Sequence, residues 1–201
     1  RGYTSFGKEH AKGKKEGDLK EFWHFGQFLD NQNKNYSYPD NIIVDELPEF
    51  NKAGTTLAGG NGEGSASNQL SHPTGIALDA SGNLYIADTN NHRIQKWTPG
   101  ATEGITVAED KERSRSSIIT YPTGITLDAS GNMYIADTEN NRIQMWAPGA
   151  IEGTTIAGGN GEGSAANQLS LPRGITLDSS GNLYIADTGN NRIQKYAPVD
   201  N

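Results

Sequence analysis

From residue 53 onward, short apolar runs alternate with polar residues in a rhythm that returns three times along the chain. Within the first period the runs are Thr55 to Ala58, Gly75 to Asp79, Leu84 to Asp88 and Arg93 to Trp97. Alternation over four to eight residues, broken by Gly, Asn, Asp and Ser, predicts half-buried β-strands. Asp79-Ala-Ser-Gly-Asn83 separates the second and third runs, and its Gly and Asn tolerate positive φ, so a tight hairpin is expected there. Asn90-Asn91 is expected to turn the next hairpin for the same reason.

The register of the copies is fixed by Pro73, Pro122 and Pro172, each opening a Pro-x-Gly-Ile-x-Leu-Asp segment. Four antiparallel strands in a period of 40 to 50 residues describe one propeller blade, which cannot bury its faces alone. Ile76, Leu78, Leu84, Ile86 and their copies are the expected core between blades. The fold class read from this pattern is all-β: three four-stranded propeller blades, as a partial propeller or one completed by oligomerisation, preceded by a short segment with one α-helix.

Residues 1 to 52 lack the period and form a separate domain. Asp18 can cap a helix over about residues 18 to 29, whose apolar positions Leu19, Phe22, Trp23, Phe25, Phe28 and Leu29 fall largely on one face. The domain boundary is therefore set at 52/53, with the blades occupying 53 to 201.

Composition narrows the function classes. Twenty-five glycines among 201 residues and a hydrophobic fraction of 33% suit short strands and many turns. Residues 53 to 201 carry nine Lys and Arg against fifteen Asp and Glu, so nucleic acid is a disfavoured partner, because phosphate contacts need a basic footprint. The absence of cysteine removes thiolate metal sites and disulfides and leaves the redox compartment open. No apolar run approaches the roughly 20 residues of a membrane-spanning helix. The first residue is Arg1 rather than methionine, which is compatible with a signal peptide upstream.

Candidate chemistry is sparse. Asp88, Asp137 and Asp187 each lie five residues before Arg93, Arg142 and Arg192 across a predicted hairpin, and the expected role of each pair is structural, a partly buried charge pair that fixes blade register. Asp79, Gly82 and Asn83, with Asp128, Gly131 and Asn132 and with Asp178, Gly181 and Asn182, are expected turn residues. As a calcium loop they lack the dense carboxylates and bidentate Glu that such sites use. The Gly-rich stretch from Ala58 to Ser65 and its copy from Ala157 lack the Gly-Lys-Ser/Thr ending of a phosphate loop and are expected to be surface loops. Arg113 and Arg115 stand in a divergent middle copy of that loop. His10, His24, His72 and His92 form no His-x-Asp pair, no Ser/His/Asp order recurs, and the expected catalytic, cofactor-binding and metal-binding sets are all empty.

The segments Pro73-Thr-Gly-Ile-Ala-Leu-Asp, Leu84-Tyr-Ile-Ala-Asp-Thr and Asn91-His-Arg-Ile-Gln-Lys-Trp closely resemble the NHL repeat. A kelch-type blade has a similar period, but the Tyr and Trp expected after a glycine doublet are missing behind Gly59-Gly60 and Gly158-Gly159. The resemblance implies a propeller that binds a protein or small ligand, as a scaffold for protein-protein interaction, with RNA binding as the alternative known among some regulatory relatives. NHL rings resemble six-bladed discs, so the resemblance implies either a homodimer completing a six-bladed ring or a longer chain that carries the missing repeats. Arg1-Gly-Tyr-Thr-Ser-Phe-Gly-Lys-Glu-His-Ala-Lys and Asp18-Leu-Lys-Glu-Phe-Trp-His-Phe-Gly resemble the amino-terminal region of isopenicillin-N-synthase-like oxygenases, which use iron and 2-oxoglutarate. That resemblance implies an inactive fragment here, since the iron-binding His-x-Asp is absent. On localisation the two parts disagree: the repeats imply a secreted or surface protein and the amino-terminal segment a cytoplasmic one.

Overall fold

The computed structural model describes residues 53–109 and 118–198. The predicted helix at 18 to 29, the oxygenase-like segment, and Arg113 and Arg115 lie outside the described residues. The blades belong to one compact unit, Asn51–Asn201.

Among the described residues, eleven strands form three antiparallel sheets. The first holds β1 (Pro73–Leu78), β2 (Leu84–Asp88), β3 (Arg93–Trp97) and β4 (Ile105–Glu109). The second holds β5 (Pro122–Leu127), β6 (Met133–Asp137), β7 (Arg142–Trp146) and β8 (Thr154–Gly158). The third holds β9 (Pro172–Leu177), β10 (Leu183–Asp187) and β11 (Arg192–Tyr196). In each sheet the strands pair in chain order, as a meander, so each sheet is one propeller blade.

One expectation about strand assignment is corrected. Thr55 to Ala58 forms no strand, although its copies do, as β4 and β8. Those copies do not begin a blade: β4 pairs with β3 and β8 with β7, so each is the fourth, outer strand of the preceding blade. Strand formation needs a partner edge, and no strand among the described residues lies beside Thr55 to Ala58 to offer it. The third sheet has three strands among the described residues.

The turns follow from their residues. Asp79 Oδ1 accepts the backbone N–H of Ser81 and of Asn83, both at 2.9 Å, and Gly82 takes φ +78°. Asp128 and Asp178 repeat the arrangement. The second turn is a single 3₁₀ turn (Thr89–Asn91, Thr138–Asn140, Thr188–Asn190) closed by a left-handed residue, His92, Asn141 or Asn191.

The inner strands β1, β5 and β9 lie side by side, and each carries a bulge after its proline. Gly75 and Gly124 sit in those bulges. A Cβ at Gly75 would overlap the Thr123 carbonyl, and one at Gly124 the Arg173 carbonyl, so only glycine lets neighbouring inner strands approach this closely.

Two apolar layers fill the space between blades. The first brings Tyr85, Ala87 and Ile94 of one blade against Ile125, Met133 and Ile135 of the next. The second brings Ala136, Ile143 and Ala157 against Leu169, Leu183 and Ile185. Full burial of an Ile such as Ile94, Ile135 or Ile143 stabilises by about 1.5–3 kcal/mol. Ile76 and Leu78, expected in the core, are 67% and 66% exposed because no blade lies against that face. Among the described residues no helix is long and apolar enough to cross a membrane.

Candidate binding face

Each blade holds a buried carboxylate at the end of its second strand. Asp88, Asp137 and Asp187 have no exposed surface. On one oxygen each accepts a backbone N–H at 2.7 Å, from Ser71, Thr120 or Ser170, which anchors the chain entering the inner strand. On the other, Arg93, Arg142 or Arg192 donates its Nε at 2.7, 2.8 or 2.7 Å. The amide of Asn91, Asn140 or Asn190 completes the set, at 2.8 to 3.0 Å. Charge neutralisation and several donors are what a buried carboxylate requires. Burial pulls the Asp187 carboxyl up, but the donors from Ser170, Asn190 and Arg192 outweigh it and hold it below the usual carboxylate range.

The arginines also organise the Gly-rich loops. Arg93 Nη1 donates to Ser65 O at 2.7 Å and Nη2 to Ala66 O and Gln69 O at 3.1 Å; Arg192 does the same to Ser164, Ala165 and Gln168. These loops close on themselves, with Asn61 Nδ2 donating to Asn68 O and Gln69 Nε2 donating to Asn61 O. They turn carbonyls toward a cation of the protein, whereas a phosphate cradle turns N–H groups toward an anion.

The Asp79, Asp128 and Asp178 carboxylates are occupied as well. Beyond the two backbone donors, Asn83, Asn132 and Asn182 donate their amides at 2.7 to 2.8 Å, and Tyr85, Tyr134 and Tyr184 their hydroxyls at 3.2 to 3.4 Å. No group of three His, Cys, Asp or Glu able to hold a metal ion occurs among the described residues.

Strand pairing gathers several of the residues that vary between blades at one end of the sheets. Pro73 opposes Asp88 and Asp88 opposes Arg93, so the residues just before the inner strand, in the 3₁₀ turn and at the start of the third strand share that end with the Gly-rich loops. The positions are His72, Tyr121 and Leu171, then Thr74, Thr123 and Arg173, then His92, Asn141 and Asn191. His72, His92, Tyr121, Leu171 and Arg173 are exposed. The His92 and Tyr121 rings lie 5.9 Å apart at 54°, and His92 Nδ1 accepts the Tyr121 N–H at 2.9 Å. A separate groove of about 520 Å³ opens toward the opposite end, between the first two blades, lined by Tyr85, Lys96, Val107, Met133, Trp146 and Ile151.

Sequence reasoning did not single out His72, Tyr121 and Leu171 at positive φ, nor the threonines after the Asp. A bulky residue at positive φ is unusual, and nothing in its identity announces it. The left-handed Asn141 and Asn191 carry a weak signal, since Asn tolerates that conformation.

The family comparison matches the NHL repeat at residues 70–97, 120–146 and 169–196, and these three segments are NHL repeats. The match lies within the blades and lends no support to the oxygenase resemblance of residues 1 to 52. No curated protein matches the chain. An auxiliary nutrient binding protein from Bacteroides thetaiotaomicron VPI-5482 superimposes with a TM-score of 0.51 at 22% identity, over 60% of this chain and 36% of that one. A virginiamycin B lyase from Staphylococcus aureus gives 0.43 at 20% identity, over 68% and 44%. A gluconolactonase from Xanthomonas campestris gives 0.41 at 15% identity, over 58% and 35%. The chain spans less than half the length of each of these solved structures. The first likeness is one of fold.

Proposed function

We propose that these three NHL repeats serve as a non-catalytic binding scaffold whose recognition face is the end of the blades bearing the Gly-rich loops. One observation carries this reading. The repeated polar groups at that end, Asp88, Arg93, Asn91 and their copies, are bonded to one another, while His72, His92, Tyr121 and Arg173, which differ between blades, are exposed on the frame so formed. A rigid support with variable exposed positions is the arrangement by which propellers and other scaffolds present a binding surface. The chemistry offered is aromatic, imidazole and guanidinium, which suits an acidic or aromatic group on a protein or small ligand.

The reading is tested by cross-linking the full chain in an extract of its source and identifying what is captured. A triple variant, His72→Ala, His92→Ala and Arg173→Ala, is expected to lose the captured partner, and Ile151→Ala at the opposite end to keep it. Equal capture by both overturns the assignment of the face. Fluorescence anisotropy with a single-stranded oligouridine tests the RNA alternative, and affinity falling steeply with salt would replace the present reading with that one.

A further inference from the structure

The two internal joints between blades are built from the same parts. Thr89 Oγ1 donates to Pro122 O and Thr138 Oγ1 to Pro172 O, both at 2.8 Å. Gly75 lies beneath Thr123 O and Gly124 beneath Arg173 O. One position differs. In the second joint the Leu171 N–H donates to an amide oxygen, Asn141 Oδ1, at 2.8 Å; in the first, the Tyr121 N–H donates to a ring nitrogen, His92 Nδ1, at 2.9 Å. His92 and Asn141 share one backbone conformation, φ +53° and +52°, so two side chains of different chemistry serve the same bond.

That bond holds an unusual residue. Tyr121 takes φ +57° and Leu171 φ +45°, a region that bulky side chains rarely adopt. Such a conformation persists only where its surroundings fix it. The chain entering β5 is fixed at three successive residues. Thr120 N–H donates to Asp137 Oδ1 at 2.7 Å within its own blade, while Tyr121 N–H to His92 and Thr89 to Pro122 O cross the joint. Of the three, only the His92 bond ends on a side chain of the kind that takes a proton in mildly acidic solution.

An imidazole nitrogen accepts a hydrogen bond through its lone pair, and a protonated imidazole carries N–H on both nitrogens. Protonation of His92 and the Tyr121 bond therefore exclude each other. Among the described residues no carboxylate pairs with His92 to hold a charged ring in place. Asp88, at the head of its turn, is taken by Arg93. Glu63 is 3.5 Å from His72, whose ring nitrogen Asn90 of the same turn meets at 2.6 Å. Across the joint His92 faces the Tyr121 ring, 5.9 Å away and inclined at 54°, whose face attracts a cation but gives the amide no acceptor. Both residues are exposed, so water takes a released N–H.

We propose that His92 is a proton-operated latch in the joint between the first and second blades. Unprotonated, it holds Tyr121 in its left-handed conformation at the entry to β5. Protonated, it lets the amide go and frees the tyrosine, while the second joint, closed by Asn141, is indifferent to pH. The Thr89 bond to Pro122 and the apolar layer between the blades remain in place, so the event is confined to the Tyr121 segment and leaves the unfolding midpoint where it was. Control of ligand capture by this latch rests on the recognition face proposed above, whereas the latch itself is tested without a ligand.

Nuclear magnetic resonance of the full chain between about pH 8 and about pH 5 tests it. At the upper end the His92 ring is expected to show a bare Nδ1 and a protonated Nε2. As His92 titrates, the Tyr121 amide is expected to shift with the same midpoint and to lose its protection against solvent exchange, after correction for the intrinsic dependence of exchange on pH. The Leu171 amide in the same sample is expected to keep its position and its protection, a comparison that needs no variant. His92→Asn is expected to keep the Tyr121 amide protected across the range, and His92→Ala to leave it unprotected throughout. A Tyr121 amide that stays protected while His92 titrates overturns the proposal. So does a Tyr121 amide that responds equally in His92→Asn, or a Leu171 amide that moves with it.

Discussion

The Nε of Arg142 lies 2.8 Å from Oδ2 of Asp137, a carboxylate with no exposed surface, and the same oxygen accepts Gln144 Nε2 at 2.9 Å. The corresponding arginine in the third blade, Arg192, has 30% of its side chain exposed, against 11% for Arg142. The three pairs have one geometry and different surroundings.

Removing one member of a buried charge pair costs about 3–5 kcal/mol, because the other is left without compensation. Asp137→Ala is therefore expected to lower unfolding stability by that amount, and Asp187→Ala by less, since water reaches Arg192. Urea unfolding of the two variants checks the order. Equal losses would mean that exposure of the arginine does not govern the energy of the pair.

Gly124→Ala places a methyl against the Arg173 carbonyl, a backbone atom that cannot swing aside. Overpacking of this kind costs about 1–3 kcal/mol. Gly54→Ala is the control, with nothing within 4 Å of the added methyl, and is expected to be neutral. Thermal melts of both variants separate the steric effect from the general effect of replacing glycine.

Acid should unfold the blades through their carboxylates. The Asn83 amide chiefly holds Asp79 below its ordinary 3.8, and the Asn182 amide does so for Asp178. At Asp128 burial pulls upward and is outweighed by donors from Asn132, Tyr134 and Ser130. With each folded value below the unfolded one, the stability these groups contribute is fully present above the unfolded pKa and lost as pH falls through the folded pKa. The urea midpoint is thus expected to hold steady from about pH 7 to about pH 5 and to fall below about pH 4. A midpoint that rises on acidification contradicts the assignment.

The Asp128 carboxylate has Ser130 N–H, Asn132 N–H, Asn132 Nδ2 and Tyr134 Oη as donors. Calcium needs six to eight oxygens and would have to displace them. Millimolar calcium chloride is expected to leave the melting temperature unchanged, while Asp128→Ala lowers stability by about 1–2 kcal/mol through the lost turn bonds. A calcium-dependent rise abolished by that variant would reassign the turn as a metal site.

Leu84–Asp88 and Arg93–Trp97 are legible as strands because each repeats the same alternation beside a partner from its own repeat. Thr55 to Ala58 has the alternation and no partner strand among the described residues, so closely similar chemistry gives a strand at Thr154–Gly158 and none at the first copy. The Asp-x-Ser-Gly-Asn turns were readable from local residue types, as their bonds run within four residues. The joints were not, because Thr89 reaches Pro122, 33 positions away, and no feature of one repeat says which threonine faces a neighbour. The candidate face was hidden for the same reason: His72 and His92 stand 20 positions apart in the chain, and only pairing of Pro73 with Asp88 puts them at one end.

The shift between repeat and blade bears on how such a gene can lengthen. Pro73, Pro122 and Pro172 set periods of 49 and 50 residues, and every joint is made between one period and the next. Duplicating any stretch of one full period, wherever the breakpoints fall, delivers an intact outer strand, a matching threonine and a matching glycine to both new junctions. Unequal crossing-over can therefore change the number of blades and leave the joints between them intact.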